Sequence, residues 1–187
     1  MAGNSYVRWF DTLTLDDLPL VGGKNASLGE LAGISSADIR VPEGFAVSAA
    51  AYRDLLKCNA LWPRMDEILE ATDWSDMKAG ARMSAQLRDL IATAQLPPGL
   101  DAAIRQAYHR LAREHGRNVA VAVRSSATAE DLPGASFAGQ HETFLNVHGA
   151  QNLIEAVRKC FASLFTQRAI SYRINKGFDH KDVALSV

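Results

Sequence analysis

The sequence is poor in cysteine and lacks long apolar runs. Its two cysteines, Cys58 and Cys160, lie far apart and outside any C-x-x-C pair, which argues against a zinc site or a redox pair. We expect both thiols to be reduced and buried in a cytoplasmic protein. No apolar stretch reaches the roughly 18 residues that a membrane-spanning helix needs. The first residues also lack the apolar core of a signal peptide, so we predict no membrane contact.

An excess of charge of either sign is also missing. The 20 Lys and Arg residues nearly balance 21 Asp and Glu residues, and the net charge is −1. Without a basic surface interleaved with aromatic residues, we predict no nucleic-acid partner. The G-x-S-x-G and H-E-x-x-H motifs are absent, so hydrolase and metalloprotease functions have no support. The length of 187 residues suffices for one domain, or two small subdomains, with a real core.

The remaining pattern of short strands and amphipathic helices is typical of an α+β fold with a small mixed sheet. A helical segment is predicted over about 49–115, with Ser48 as its first N-cap and Asp73 or Ser75 capping its longest helix. The apolar run 119–123 predicts a strand buried on both faces, with 143–147 as its neighbour. One last helix is expected over 150–176. The chain then stops inside an apolar run at 183–187, so we expect a longer natural protein.

Arg124 has the most promising position for chemistry. It follows five apolar strand residues, and the carboxyl ends of strands are where ligands of α/β folds gather. A small-residue loop over 125–142 comes next, and a structureless loop of that length is uncommon unless it is functional or disordered. The guanidinium group suits phosphate. Its sequence position is equally compatible with a salt bridge to Glu130, Asp131 or Glu142.

A second candidate is Gly22-Gly23-Lys24, which precedes a helical run. Such a turn can bring backbone N–H groups and an ammonium group to a phosphate. The spacing is not that of a Walker A loop, and an ordinary turn before a helix explains the pattern as well. Whether Lys24 meets Arg124 depends on the glycine turn folding over the same edge of the sheet.

Other polar residues of this region are weaker candidates. The hydroxyl groups of the loop either serve phosphate oxygens or form turns. Gln140 and Glu142 are candidates for nucleotide or metal contacts, although one carboxylate is a poor Mg²⁺ site by itself. Of the five histidines, only His141 lies in the loop. We interpret His109, His115 and His180 as surface residues.

These stretches together resemble the phosphoenolpyruvate synthase (pyruvate, water dikinase) family. The resemblance covers essentially the whole chain and is carried by residues 22–30, 123–131, 136–140, 142–147, 161–165 and 168–173. Pyruvate phosphate dikinases and rifamycin phosphotransferases share this kind of nucleotide-binding domain, and the spacing around Arg124 is most similar to the synthase. The resemblance implies the first subdomain of an ATP-grasp-like domain.

The resemblance also implies roles for individual residues. Lys24 and Arg124 should grip the phosphates of ATP. The remaining implied pocket residues are Gly139, Thr143 and Phe144, with Ser125 and Gln140 as weaker candidates. The Mg²⁺ ligands, the phosphate-carrying histidine and the pyruvate site are all expected beyond residue 187. None of the five histidines in this sequence should therefore carry the phosphate. His141 departs from many relatives, which have glutamine there.

Three functions follow as hypotheses. The first is the ATP-binding portion of a phosphoenolpyruvate synthase, homodimeric at full length, which makes phosphoenolpyruvate, AMP and phosphate from pyruvate, ATP and water. As an isolated fragment it should be inactive and bind ATP weakly or undetectably. The second is the same portion of a rifamycin phosphotransferase or a pyruvate phosphate dikinase. The third is a stand-alone nucleotide-binding module.

Overall fold

The computed structural model describes residues 6–34, 40–128 and 142–187. Seven α-helices and six short strands lie in these ranges, which bears out the mixed α and β character predicted from the sequence. The helices are α1 (Leu18–Gly33), α2 (Ala49–Cys58), α3 (Leu61–Ala71), α4 (Met77–Thr93), α5 (Leu100–His115), α6 (Ala150–Ala162) and α7 (Gln167–Lys176). The strands are β1 (Val7–Trp9), β2 (Phe45–Val47), β3 (Ala120–Arg124), β4 (Ser126–Ala127), β5 (Thr143–His148) and β6 (Leu185–Ser186).

The described strands form three separate two-stranded sheets, β1–β2, β3–β5 and β4–β6. Every one of these pairings is antiparallel, so the expected small mixed sheet is wrong for the described part of the chain. The predicted pairing of β3 with β5 is confirmed. Only Ser125 separates β3 from β4, and the chain changes sheet at that residue.

Strand β3 is less buried than its apolar sequence predicts. Of its five residues only Val123 is buried, at 4% exposure. The strand packs against α6 and pairs only with β5 among the described strands, so one face of the pair stays open. An unbroken apolar run was therefore a misleading sign of burial on both faces.

The main core lies between the helices and the inner faces of the small sheets. Its aromatic residues meet edge to face: the rings of Tyr52 and Phe161 lie 5.6 Å apart, and those of Trp62 and Phe165 lie 6.3 Å apart. This cluster joins α2, α3 and α6 to the turn before α7. The helical segment and the strand region therefore share one core.

The residue predicted to cap α4 is wrong. The N-cap of α4 is Asp76, whose Oδ1 accepts hydrogen bonds from the backbone of Lys78 at 2.8 Å and Ala79 at 3.2 Å. Asp73 cannot cap α4 because its carboxylate accepts hydrogen bonds from the backbone and side chain of Ser75 in the preceding turn. Ser48 is the N-cap residue of α2 as predicted, although its side chain makes no capping bond.

The expected single helix over 150–176 is in fact two helices. Helix α6 ends at Ala162, a 3-10 turn occupies Ser163–Phe165, and α7 begins after Thr166. The extended backbone of Thr166 breaks the helix, and its side chain accepts the backbone N–H of Ala169 at 3.3 Å. Leu164 and Phe165 in the turn are still buried, which is why the apolar stripe hid the break.

Two predictions about single side chains are wrong. Cys58 is exposed at the end of α2, whereas Cys160 is buried in α6 as expected. His180 is partly buried and accepts a 2.8 Å hydrogen bond at Nδ1 from Nε of Arg173. Arg173 itself is only 1% exposed. Burial, followed by the charge of Arg173, lowers the pKa of His180 to about 4.

Candidate functional site

The Gly-Gly-Lys stretch forms a kink between two helical segments. Gly22 has φ 71° and ψ 165° inside α1, a backbone region that is essentially restricted to glycine. A β-carbon at Gly22 would lie 2.4 Å from Oγ of Ser126 and 2.9 Å from the carbonyl oxygen of Ala127. Position 22 therefore requires glycine for two reasons, the backbone angles of the kink and the close contact with β4.

Some residues after the kink are buried in the protein, and others are exposed to solvent. Asn25 and Ala26 are buried, and Gly29 lies so close to Leu13 that a β-carbon there would be 2.5 Å from the Leu13 side chain. Lys24 is exposed. Much of the Gly22–Gly29 pattern thus serves packing, and Lys24 is the charged residue that it presents to solvent.

Lys24 lies beside the strand that carries Arg124. Its Nζ is 3.4 Å from the carbonyl oxygen of Ser125, the residue that directly follows Arg124 in the chain. The glycine turn therefore folds over the same strand end, which the sequence left open. Two cationic residues separated by 100 positions in the sequence are neighbours here.

Arg124 pairs with Thr143 across the β3–β5 sheet. Directly opposed residues of an antiparallel pair extend from the same face, and both of these residues are exposed. Within residues 6–34, 40–128 and 142–187, no ion pair of Arg124 is found, which removes Glu142 as the predicted structural partner. The other two predicted partners, Glu130 and Asp131, lie outside the described residues.

The hydroxyl groups of Ser125 and Thr128 both donate to backbone carbonyl oxygens of the protein itself. Ser125 is 4% exposed, and its Oγ donates to the carbonyl oxygen of Glu142 at 3.4 Å. Thr128 donates through Oγ1 to the carbonyl oxygen of Ala184 at 3.2 Å. Neither side chain is turned toward solvent in this arrangement, so turn formation explains both.

Phe144 lies on the opposite face of the sheet from Arg124. It pairs with Val123, packs partly buried against the core, and has Nζ of Lys159 5.8 Å from its ring centroid. A shallow cavity of about 310 Å³ lies on this side, between β5 and α6. The Phe144 side chain and Arg124 therefore do not line one pocket. Gly139, Gln140 and His141 lie outside the described residues.

Among the described residues, one group of His and carboxylate side chains has metal-ligand spacing. Glu43, Glu114 and His115 bring their ligand atoms within 4.8 Å of one another. The hydrogen bond with Glu114, followed by that with His115, lowers the pKa of Glu43. All three are exposed, and they belong to the loop before β2 and to the end of α5, away from the elements that carry Lys24 and Arg124. Mg²⁺ prefers oxygen ligands, so this group fits it poorly.

The arrangement around Lys24 and Arg124 is suited to an anion. The ammonium group of Lys24 and the start of the helical segment after Gly22 lie at the strand end that carries Arg124, and a helix start and a cation both favour an anion. No described helix is long and apolar enough to cross a membrane. The fold thus defines a mixed α and β domain with two exposed cationic residues, Lys24 and Arg124, at one strand end.

The comparisons with known proteins agree with this class. Residues 18–187 match the family described as pyruvate phosphate dikinase, AMP/ATP-binding domain, and the chain belongs to that family. It is 53% identical over 182 residues to a phosphoenolpyruvate synthase of Pseudomonas aeruginosa, covering 97% of this chain and 23% of the relative. Its identity to the Neisseria meningitidis phosphoenolpyruvate synthase is 50%, covering 100% of this chain and 24% of the relative. For the Escherichia coli phosphoenolpyruvate synthase the identity is 48%, over 96% and 23%.

The chain therefore spans about a quarter of the length of these relatives, with shares of 23% and 24%. The resemblance to phosphoenolpyruvate synthases expected from the sequence motifs is confirmed.

Proposed function

We propose that the chain is the ATP-binding portion of a phosphoenolpyruvate synthase and the first subdomain of an ATP-grasp-like domain. The observation that carries the proposal is the 3.4 Å contact between Nζ of Lys24 and the carbonyl oxygen of Ser125, next to Arg124. Membership of an AMP/ATP-binding domain family supports ATP as the anion. The names of the relatives support the synthase as the whole protein.

In the proposed reaction, a phosphoryl group passes from ATP to a histidine on a downstream domain and then to pyruvate. Water takes up the remaining phosphate, so that AMP, phosphate and phosphoenolpyruvate are the products. Lys24 and Arg124 hold the phosphates of ATP and stabilise the negative charge of the transferring group. Mg²⁺ supplies further charge neutralisation when it is bound. Its ligands belong to the part of the enzyme beyond residue 187.

The other residues proposed to contact ATP lie in different environments. Thr143 shares the open face with Arg124, so its hydroxyl group is available to a ligand held there. The hydroxyl group of Ser125 is buried, so this residue contributes to the fold rather than to direct ATP contact. Its backbone carbonyl oxygen lies beside Nζ of Lys24. Phe144 contributes from the backbone of β5, since its ring lies on the core side. Gly139 and Gln140 remain proposals from the family resemblance.

The test uses Lys24→Met and Arg124→Met in the full-length protein. Each variant is expected to lower ATP-dependent histidine phosphorylation by at least about a hundredfold, a loss of the size seen when one transition-state donor is removed. Both residues are exposed, so thermal unfolding should be unchanged. Lys78→Met and Arg117→Met remove equivalent exposed charges elsewhere and serve as controls. Phosphorylation near the wild-type level in Arg124→Met would contradict the proposal.

The synthase and the dikinase differ in what accepts the second phosphoryl group of ATP, which is water in the synthase and inorganic phosphate in the dikinase. The family description names pyruvate phosphate dikinase, which is the specific reason to test that alternative. A synthase needs only pyruvate, ATP and water to release AMP and phosphate, whereas a dikinase consumes added phosphate. Strict dependence of product formation on added phosphate would favour the dikinase.

A further inference from the structure

Asn25 makes two buried hydrogen bonds immediately after the residue that bears the site's ammonium group. Its side chain is 6% exposed, and Nδ2 donates to the carbonyl oxygen of Val21 and to Oγ of Ser186, each at 3.0 Å. Val21 is the last residue before the Gly22 kink, and Ser186 lies in β6. One amide group therefore joins the two sides of the kink to a strand 161 residues away in the sequence.

The bond to Val21 has a physical cause in the kink. The backbone angles of Gly22 are non-helical, so the regular helical geometry breaks between Val21 and Asn25. The amide side chain of Asn25 supplies a donor to the carbonyl group of Val21. An apolar residue of the same size would leave this buried carbonyl group without the Asn25 donor, and the loss of a buried hydrogen bond destabilises the kink.

The bond to Ser186 connects the lysine-bearing helix to the strand end that carries Arg124. Ser186 pairs with Ser126 in the β4–β6 sheet, and Ser126 is two residues after Arg124. Gly22 touches the same Ser126 from the other side, since a β-carbon there would overlap its Oγ at 2.4 Å. The start of the second helical segment is thereby held against the β4–β6 sheet by Gly22, which touches β4, and by Asn25, which bonds to β6.

We propose that Asn25 is a positioning residue for ATP. Its bonds to Val21 and Ser186 fix the first turn of the helix against β6, the partner strand of β4, and this sets the separation of Lys24 from Arg124. This inference rests on the proposed function, because it assigns the held lysine to ATP phosphates. It adds a residue that touches no ligand and acts through Lys24.

Two variants test the proposal in the full-length protein. Asn25→Leu keeps the volume and removes both bonds, whereas Ser186→Ala removes only the bond between elements and keeps the bond to Val21. Titration with Mg²⁺ and ATP, followed by amide chemical shifts, detects weak binding. The expected loss of ATP affinity is about tenfold for Asn25→Leu and about threefold for Ser186→Ala.

Asn59 provides a matched control. Its Nδ2 donates to the carbonyl oxygens of Leu55 and Gln95, each at 2.8 Å, so it too joins a helix end to a distant segment. Asn59→Leu should lower the unfolding temperature without changing ATP affinity. If Asn59→Leu lost as much ATP affinity as Asn25→Leu, the loss would be explained by general destabilisation of the fold. That result would overturn the proposal.

A double-mutant cycle shows whether Asn25 affects ATP affinity by positioning Lys24 or independently of Lys24. If Asn25 acts through Lys24, adding Asn25→Leu to Lys24→Met should weaken ATP binding no further. Additive losses would overturn the proposal.

Amide hydrogen exchange of the free chain gives a readout that does not depend on ATP. Exchange should rise in Asn25→Leu at residues 23–27 and in β4 and β6, and not in α3 or α5. Unchanged exchange at these positions would contradict the positioning role whether or not ATP binds. Absence of ATP binding by the full-length wild-type protein would instead contradict the proposed function, while the exchange result still decides whether Asn25 holds the helix.

Discussion

Arg124 and Thr143 are directly opposed across the β3–β5 sheet, and both are exposed. Their neighbours in the register, Val123 and Phe144, extend from the other face and pack toward the core. A residue in β5 therefore either faces the proposed phosphate site or supports the fold. Successive residues of one motif have different physical roles.

This register predicts opposite effects for two adjacent substitutions. Thr143→Val should weaken ATP binding severalfold and leave the free energy of unfolding nearly unchanged, because the side chain is exposed. Phe144→Ala should lower the free energy of unfolding by about 2 kcal/mol, less than for a fully buried phenylalanine. Urea unfolding and nucleotide titration of both variants check the prediction. A large stability loss in Thr143→Val alone would mean that the two faces are exchanged.

Gly22→Ala should be among the most destabilising single substitutions in the chain. The variant combines backbone angles that alanine avoids with a β-carbon 2.4 Å from Oγ of Ser126. We expect a loss of roughly 3–5 kcal/mol in the free energy of unfolding, measured by urea denaturation. Gly33→Ala is the matched control in the same helix, since a β-carbon there meets nothing within 4 Å. That control should be neutral or more stable by about 0.5 kcal/mol, and equal losses in both would refute the packing argument.

Acidification should destabilise the chain through His180. Burial holds its pKa at about 4 in the folded state, below the ordinary histidine value of 6.5. Between these values the unfolded state binds more protons, so stability is complete above about pH 6.5 and is lost as the pH falls toward 4. The loss is about 2 kcal/mol after allowance for solvent screening. Urea unfolding across this pH range measures it.

A substitution isolates the contribution of His180 from that of other groups. His180→Gln keeps an acceptor for Nε of Arg173 and does not titrate, so the slope of stability against pH should become flatter. His109→Gln, at an exposed position, should keep the wild-type slope. An unchanged slope in His180→Gln would mean that another group causes the acid sensitivity.

The two cysteines should react very differently with a thiol reagent. Cys58 is exposed, whereas Cys160 is buried in α6 and burial raises its pKa to about 12. Because the thiolate is the reactive form, one thiol should react in the native chain and two in denaturant. Cys58→Ala should leave none reactive in the native state. Rapid native labelling of that variant would show that α6 opens.

Local structure was largely readable from the sequence. The helical segment predicted over about 49–115 contains helices α2 to α5, because clear apolar periods separated by short turns leave few alternatives. The break at Thr166 was missed, since the buried Leu164 and Phe165 continue the apolar stripe through a 3-10 turn. The cap at Asp76 was missed because Asp73 and Ser75 fit the same rule and differ only in their actual hydrogen bonds.

The sequence by itself determined the α and β character, most helices, the β3–β5 pairing and the two cationic residues suited to phosphate. These features depend on neighbours in the chain or on recurring motifs. The tertiary structure decided that Lys24 lies 3.4 Å from the carbonyl oxygen of Ser125, and that Asn25 bonds to Ser186. It also decided that Arg173 donates to His180 in a buried position. Such contacts depend on how distant elements pack, and packing is specified by the whole core rather than by any local pattern.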